Sequence, residues 1–479
     1  MVFIFMSEAV FEQCQSHFTW GTYEDKIPKD DIVRLIKKVV KESKDKWDHL
    51  IPVKKMGRKR HSRVNMISLL IFSYMDNTRD ATEIYKRIQY DDRYKYICDG
   101  IIPSYTSIKD YRNKIEDVIV EILKEILDIA LKEEYTKYEH VICDGSTFKS
   151  FNSPENVIHE EDVNTLSKIY KTGYMSKESV DSLRKNGKDF LQNNLSLNEK
   201  LKLLNIYNKE LENSNYKVTP MFDTDAKFMK NKKGYTMLGH NVQFVTDAKT
   251  KLILAIHVSN EGSDAYQLPP AIDKALENIN TKPEKVSADN AYRNEISSQY
   301  TKKQGMIGYF PSKKQAKENK GNLSKNKYHK DNMTYDYDKD LFICYNNQEL
   351  PLQKTRLKAN SKREKLGLPL ETERTYYNKE ACASCKYAKD CFSNKAKYRT
   401  IVDTGSEDLL EIQKRMDTPE GKKEYKNRSS GESPIGIFKQ QKGIYEIPVT
   451  GCKNIEKRLY LDVVSYGFKI LKNLGYNKY

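Results

Sequence analysis

The acids that could do chemistry in this chain stand at the ends of short strand-like runs, and the order of those runs limits the folds open to it. His140-Val141-Ile142-Cys143-Asp144-Gly145 is apolar and β-type, and it closes on an acid and a glycine. Polar helical sequence occupies 151–216, anchored by Phe190, Leu191, Leu195, Leu201, Leu203, Leu204 and Ile206. Strand patterns return at 241–245 and 252–259 around the turn Asp247-Ala248-Lys249. A helical pattern then covers 266–279, and a last strand, 285–288, closes on Asp289. Strand, helical insert, hairpin, helix, strand predicts one mixed α/β layer structure rather than two separate folds. Acids at the carboxyl ends of core strands fall where open α/β sheets place their sites, so Asp144 and Asp289 are expected at the rim of the sheet rather than within it. Taken singly, such an Asp is more often a turn or cap residue.

The flanks read differently. Residues 1–135 are expected to form an all-helical N-terminal domain, beginning with the amphipathic run Ile32-Val33-Leu35-Ile36-Val39-Val40. A cation cluster, Lys54, Lys55, Arg58, Lys59, Arg60 and Arg63, leads into an apolar helix over 64–75. Cations at a helix entrance can grip phosphates, which makes Arg58, Lys59 and Arg60 candidate DNA contacts; a solvated linker is the plainer alternative. Further helices follow to 131, broken at Asp99-Gly100 and Pro103-Ser104, with Ser104 and Ser107 as caps before an unbroken run from 108. Core sequence then spans 136–299, with the helical insert at about 151–230; residues 300–405 form a Lys- and Asn-rich insertion of poor periodicity. Residues 406–479 turn helical again, with Ile455, Leu459, Val463, Tyr466 and Ile470 as a stripe.

Lysine and arginine total 83 against 67 acids, a net charge of +16 spread along the chain, which fits a polyanionic partner as well as a merely solvated surface. No apolar run approaches the ~18 residues a bilayer span needs, and the opening MVFIFM lacks the charged start of a signal peptide, so an intracellular protein is expected. Of eight cysteines, four fall between Cys344 and Cys391. Cys382-x2-Cys385-x5-Cys391 with Cys344 offers four thiolates for structural zinc or an iron–sulfur cluster, against free thiols packed in the insertion. Cys14, Cys98, Cys143 and Cys452 read as packing residues.

The most specific segment is Tyr425-Lys426-Asn427-Arg428-Ser429-Ser430-Gly431-Glu432-Ser433-Pro434-Ile435-Gly436-Ile437-Phe438-Lys439, a Y-x2-R-x3-E-x6-K pattern. On one continuous helix these four side chains share an arc of about 60°. Glu432 can then join Asp144 and Asp289 as a third carboxylate for Mg²⁺ or Mn²⁺, while Arg428 and Lys439 pair with phosphates. Tyr425 could stack on a displaced base. Two such ions activate a water or a 3′-hydroxyl and stabilise the leaving oxygen, which is strand cleavage and strand transfer. The bland reading is a polar helix face with an (i, i+4) Arg–Glu pair. Gly431 and Pro434 predict a kink, or a restart with Ser433 as cap.

On these residues the chain resembles the DDE transposases of bacterial insertion sequences, in the branch whose third acid sits in a YREK signature. Asp289-Asn290-Ala291-Tyr292 is similar to the family's Asp-x-(Gly/Ala)-(Tyr/Phe) pattern. Further likeness lies in Asp225-Ala226 with Gly234-Tyr235, in Asn241-Val242-Gln243, and in the helical region from Pro103 to Arg112, so it extends from about residue 60 onward. The resemblance implies a ribonuclease H-like catalytic core with an all-helical N-terminal domain, a helical insert after the first core strand and a basic cysteine-containing insert before the last catalytic helix. It implies metal binding by Asp144, Asp289 and Glu432, and excision and insertion of a mobile element. The implied partners are double-stranded DNA at inverted-repeat ends and target, met by a homodimer in the bacterial cytoplasm. A catalytically inactive, transposase-derived DNA-binding protein is the alternative; a nuclease or resolvase of the same core is a third reading.

Overall fold

The computed structural model describes residues 22–51, 61–212, 216–230, 234–358, 370–393 and 395–476. Cys14 and the cations Lys54, Lys55, Arg58, Lys59 and Arg60 lie outside the described residues.

Five strands make the central sheet: β1 (His140–Ser150), β2 (Thr236–Asp247), β3 (Ile253–Ser259), β4 (Lys285–Ala288) and β5 (Ile307–Tyr309). Their order is β3-β2-β1-β4-β5; β2 is antiparallel to both β1 and β3, and β4 and β5 run parallel to β1. The short strands Lys227–Lys230 and Glu446–Ile447 add to β2 and to the far end of β1. Val141, Cys143, Phe148, Val242 and Phe244 are buried, as strands covered on both faces require. The helix Leu268–Asn278 connects β3 to β4 and packs on β3. Its prolines sit in the first turn, where no intrahelical N–H bond is lost.

The first strand departs from expectation. It does not end at Asp144 but runs on to Ser150, because Gly145–Lys149 keep pairing with Gly239–Gln243 of β2. On the other side the parallel ladder stops at Cys143 opposite Ala288. Asp144 therefore stands inside a strand yet beside the point where β4 gives way, while Asp289 stands just past it.

Among the described residues, the six longer helices of the N-terminal layer, Ile32–Glu42, Arg63–Met75 and Glu116–Lys132 among them, start on Asp or Ser caps in all but one case. Arg63–Met75 is buried all round from Asn65 to Met75, as its apolar sequence demands. The expected single run from 108 to 131 is two helices, Tyr105–Arg112 and Glu116–Lys132, parted at Asn113–Lys114. The 22-residue helix Cys452–Asn473, ~33 Å long at 1.5 Å per residue, packs against Glu116–Lys132, Arg63–Met75 and β3. One apolar core consequently runs from Val33 through the sheet to Leu471.

Two smaller units hang on this frame. Helices between Glu160 and Glu212 close over their own core of Val163, Leu166, Phe190, Leu204 and Tyr207. The segment that looked aperiodic holds a five-stranded antiparallel sheet over Thr334–Asp336, Leu341–Ile343, Glu349–Lys358, Glu371–Tyr376 and Ile401–Thr404. Its core is Met333, Phe342, Leu350, Tyr376 and Ile401. Among the described residues no helix is long and apolar enough to cross a membrane.

Candidate active site

The register of β1 and β4 brings two acids together. Cys143 pairs with Ala288, so Asp144 and Asp289, the next residue on each parallel strand, are neighbours. Asp144 is buried, and Asp289 caps the turn Asn290–Tyr292 by accepting from the Ala291 N–H at 2.7 Å.

The signature segment reaches this point by a different path from the one expected. The helix Pro419–Lys426 ends after Tyr425, Asn427 and Arg428 form a turn, and a second helix runs Ser429–Gly436, followed by a π-helical turn over Ile437–Gln441. Ser433 caps nothing, and Pro434 is accommodated inside the second helix. The break falls at Asn427–Arg428 instead, so the four side chains do not share one continuous helix. Gly431, read as an interruption, is a packing device: a Cβ there would come under 3.0 Å from Ile142 Cγ2 and 3.2 Å from Thr246 Oγ1. Only glycine lets this helix lie directly on β1 and β2, two residues before Asp144.

Arg428 is the electrostatic centre. Burial works against its charge, but Tyr425 and the carboxylates of Asp144, Glu432 and Asp289 outweigh it and hold the guanidinium above its ordinary pKa. The same three acids act on Tyr425, whose hydroxyl is pushed up to about 12, by burial first. Arg428 Nη1 donates to Glu432 Oε1 at 2.8 Å, the bland pair the spacing allowed, and Glu432 is 57% exposed. Tyr425 is half-buried against the core rather than open for stacking on a base. Lys439 does not join Arg428: its Nζ donates to the Thr147 carbonyl at 2.6 Å and lies over Phe148.

Sequence reasoning missed the layer beneath the acids. Asp264 Oδ1 accepts from Asn241 Nδ2 at 2.7 Å and from Gln243 Nε2 at 2.8 Å. Gln243 Oε1 in turn accepts from the hydroxyl of Tyr292, three residues past Asp289. A Cβ on Gly145 would collide with the Asp264 carboxylate, so that acid packs against the residue following Asp144. Burial first, and then the charges of Asp144, Asp264 and Asp289 among others, raise the Cys143 thiol and the Tyr292 hydroxyl well above their ordinary values. The pattern Asn241-x-Gln243 was visible, but its partner 21 residues on was not.

Divalent cations suit the chemistry of this donor set, which is carboxylate oxygen throughout. The geometry is not closed: among the described residues no three His, Cys, Asp or Glu side chains stand at metal-holding spacing. That applies equally to the cysteines. Burial first, and then neighbouring cysteines that include Cys344 and Cys385, raise the thiols of Cys382 and Cys391, yet the expectation of zinc or an iron–sulfur cluster finds no support.

Two family models match the chain: a Transposase DDE domain over residues 343–471, which includes Glu432, and a Transposase domain (DUF772) over 21–114. Both describe transposases. Together these matches support a DDE transposase. Members generally use divalent ions such as Mg²⁺, and the family implies transposition by a polynucleotidyl-transferase type of activity. A solved piggyBac transposase synaptic complex with hairpin DNA is similar at a TM-score of 0.33 and 8% identity, covering 92% of this chain and 79% of that one. No curated protein matches.

Proposed function

We propose that this protein cleaves DNA at the inverted-repeat ends of its own insertion sequence and joins those ends to target DNA, on a ribonuclease H-like core. The observation that supports the reading is the parallel register that sets Asp144 beside Asp289, together with the charges of these two acids and of Glu432, from three distant parts of the chain, acting on the guanidinium of Arg428. The strand order β3-β2-β1-β4-β5, with an antiparallel hairpin followed by two parallel strands, supports the core assignment. Asp144, Asp289 and Glu432 would hold the divalent ions, which supply a nucleophile and stabilise the leaving oxygen. Arg428 is at present engaged with Glu432; an incoming phosphate competes for it, because guanidinium–phosphate pairing is bidentate and charge-assisted. DNA binding would then free Glu432 to close the acid triad. Lys439, held on the β1 backbone beside Phe148, would contact the DNA backbone only on release from Thr147, and Tyr425 would act by supporting Arg428 rather than by stacking. Arg58, Lys59 and Arg60 are proposed phosphate contacts, and a dimer on paired ends follows from the need to join two of them. Such a reaction asks the protein mainly for positioning and charge, and no side-chain nucleophile is needed.

The experiment is cleavage of a duplex carrying the element's own ends by purified protein with Mg²⁺ or Mn²⁺. Native protein nicks it, and Asp289→Ala binds the same DNA without nicking. Retained cleavage by Asp289→Ala removes that residue from the mechanism. A native protein that binds DNA and never cuts favours the inactive, DNA-binding alternative.

A further inference from the structure

A cavity of about 400 Å³ lies between the end of Tyr105–Arg112, the start of Glu116–Lys132 and the first turns of Cys452–Asn473. Three cations line it, Arg112, Lys457 and Arg458, with Asn113, Thr450 and Asn454 beside them, and among the described residues no Asp or Glu does. Nearby, the chain matches its buried cations: Arg79 and Lys442 both pair with Asp462. Arg112 and Arg458 receive no such treatment. Arg458 Nη1 donates to the Tyr74 hydroxyl at 2.8 Å and Arg112 Nη1 to the Arg79 carbonyl at 2.6 Å, and neither makes an ion pair among the described residues. Arg112 Nε is buried without a hydrogen-bond partner. Burial and the charge of Arg458 both push the Arg112 pKa down; of the acids, Asp80 acts back on it, and Asp80 is occupied in capping Ala81–Tyr90.

Two guanidinium groups that share a cavity with no ion-pair partner among the described residues repel each other, and an anion seated between them would reverse that cost. The two planar guanidinium forks, with the Asn113 amide and the Thr450 hydroxyl beside them, suit the oxygens of a phosphate. We propose that this cavity is a phosphate site, filled by a backbone phosphate of DNA lying along the joint between the N-terminal helices and the C-terminal helix. The phosphate chemistry stands on the cavity alone, while DNA as its source rests on the proposed function. Thr450 follows the strand Glu446–Ile447, which pairs with Lys149 and Ser150, five and six residues past Asp144. That end of β1 is ~17–20 Å from Asp144 at ~3.3 Å per residue, a span of about five base pairs. One duplex can touch both places, and the contact needs no catalytic metal.

The test compares the native full chain with Arg458→Gln and, as a second variant, Arg112→Gln. Melting is followed in inorganic phosphate and in chloride at equal ionic strength, and binding to a duplex is followed against salt. Phosphate raises the native melting temperature; Arg458→Gln melts no lower than native in chloride, because one unmatched cation has gone, and it loses the phosphate response. The slope of log K against log salt becomes shallower by about 0.9 for each lost contact, with affinity several-fold weaker. Native phosphate response and native slope in both variants overturn the proposal. Loss of the phosphate response with an unchanged slope overturns DNA as the source, and a native protein indifferent to phosphate overturns the site itself. Failure of DNA cleavage, which would undo the proposed function, moves none of these readouts.

Discussion

Gly431→Ala isolates the contact that sets the height of the Glu432 helix above the sheet. The new methyl would meet Ile142 Cγ2 at under 3.0 Å, where carbon pairs settle at about 3.5–4.0 Å. Ile142 is fully buried near the start of β1 and has little room to yield, so the helix must lift by roughly 0.5–1 Å. Overpacking of this kind costs about 1–3 kcal/mol, while replacing glycine within a helix returns about 1 kcal/mol. The net change in stability is therefore small, a melting shift of a few degrees at most. The change at the site is not small, since a displacement of about 1 Å at a catalytic group can cost on the order of 100-fold in rate. Gly431→Ala should accordingly bind end DNA like the native protein, stay folded, and cleave it roughly 100-fold more slowly. Adding Ile142→Ala makes room for the methyl and should recover part of the rate, a coupling that a double-mutant cycle measures. Native cleavage by the single variant, or a double variant no better than Gly431→Ala, refutes the packing argument.

Asp462→Ala strands Lys442 in the core and leaves Arg79 without its acid; chemical denaturation should show a loss of about 3 kcal/mol, and a loss below 1 kcal/mol would mean the cations find water. Asp264→Ala removes the acceptor that holds Asn241 and Gln243, and the Mn²⁺ concentration for half-maximal cleavage should rise roughly tenfold, whereas Asp264→Asn, which keeps an acceptor, should shift it less; identical metal dependence in all three proteins argues that the layer beneath the acids is only structural. His140 is buried beside Ser287, and burial, the largest influence, lowers its pKa in the fold. A depressed value means that the unfolded chain binds the proton more readily, so the stability tied to neutral His140 is present above the ordinary histidine value of 6.5 and is lost as pH falls below it. Melting followed from pH 7.5 to 5 should show that decline, and His140→Gln should flatten it.

Much of the frame was legible because its signals are local. Strand β4 and the helix before it were read almost to the residue, since short apolar runs and helical periods need no knowledge of partners. The second half of β1 was not, because Ser146, Thr147 and Lys149 carry no apolar alternation and owe their strand to pairing with a segment about 90 residues later. The sheet over 334–404 escaped for the same reason: Glu349–Lys358 is mostly exposed, and its polar faces hide the period. At the site, the three acids and Arg428 could be named from spacing. How far they approach one another could not, nor could the true break at Asn427, where the assumption of one straight helix failed. Gly431 looked like a flaw because the residue it must avoid, Ile142, lies almost 300 positions away. The Asp264 layer and the Arg112–Arg458 cavity are likewise products of the fold, made from residues that are ordinary one by one.

Cation uptake by Asp144, Asp289 and Glu432, the proposed metal ligands, is most directly measured by calorimetric titration of Mn²⁺ into the full chain bound to end DNA. Native protein should take up Mn²⁺ with a defined stoichiometry, and Asp144→Ala, Asp289→Ala and Glu432→Ala should each lose most of it while still holding the DNA. Uptake by Glu432→Ala equal to that of the native protein, or no uptake by the native complex, would show that these acids do not share a metal site.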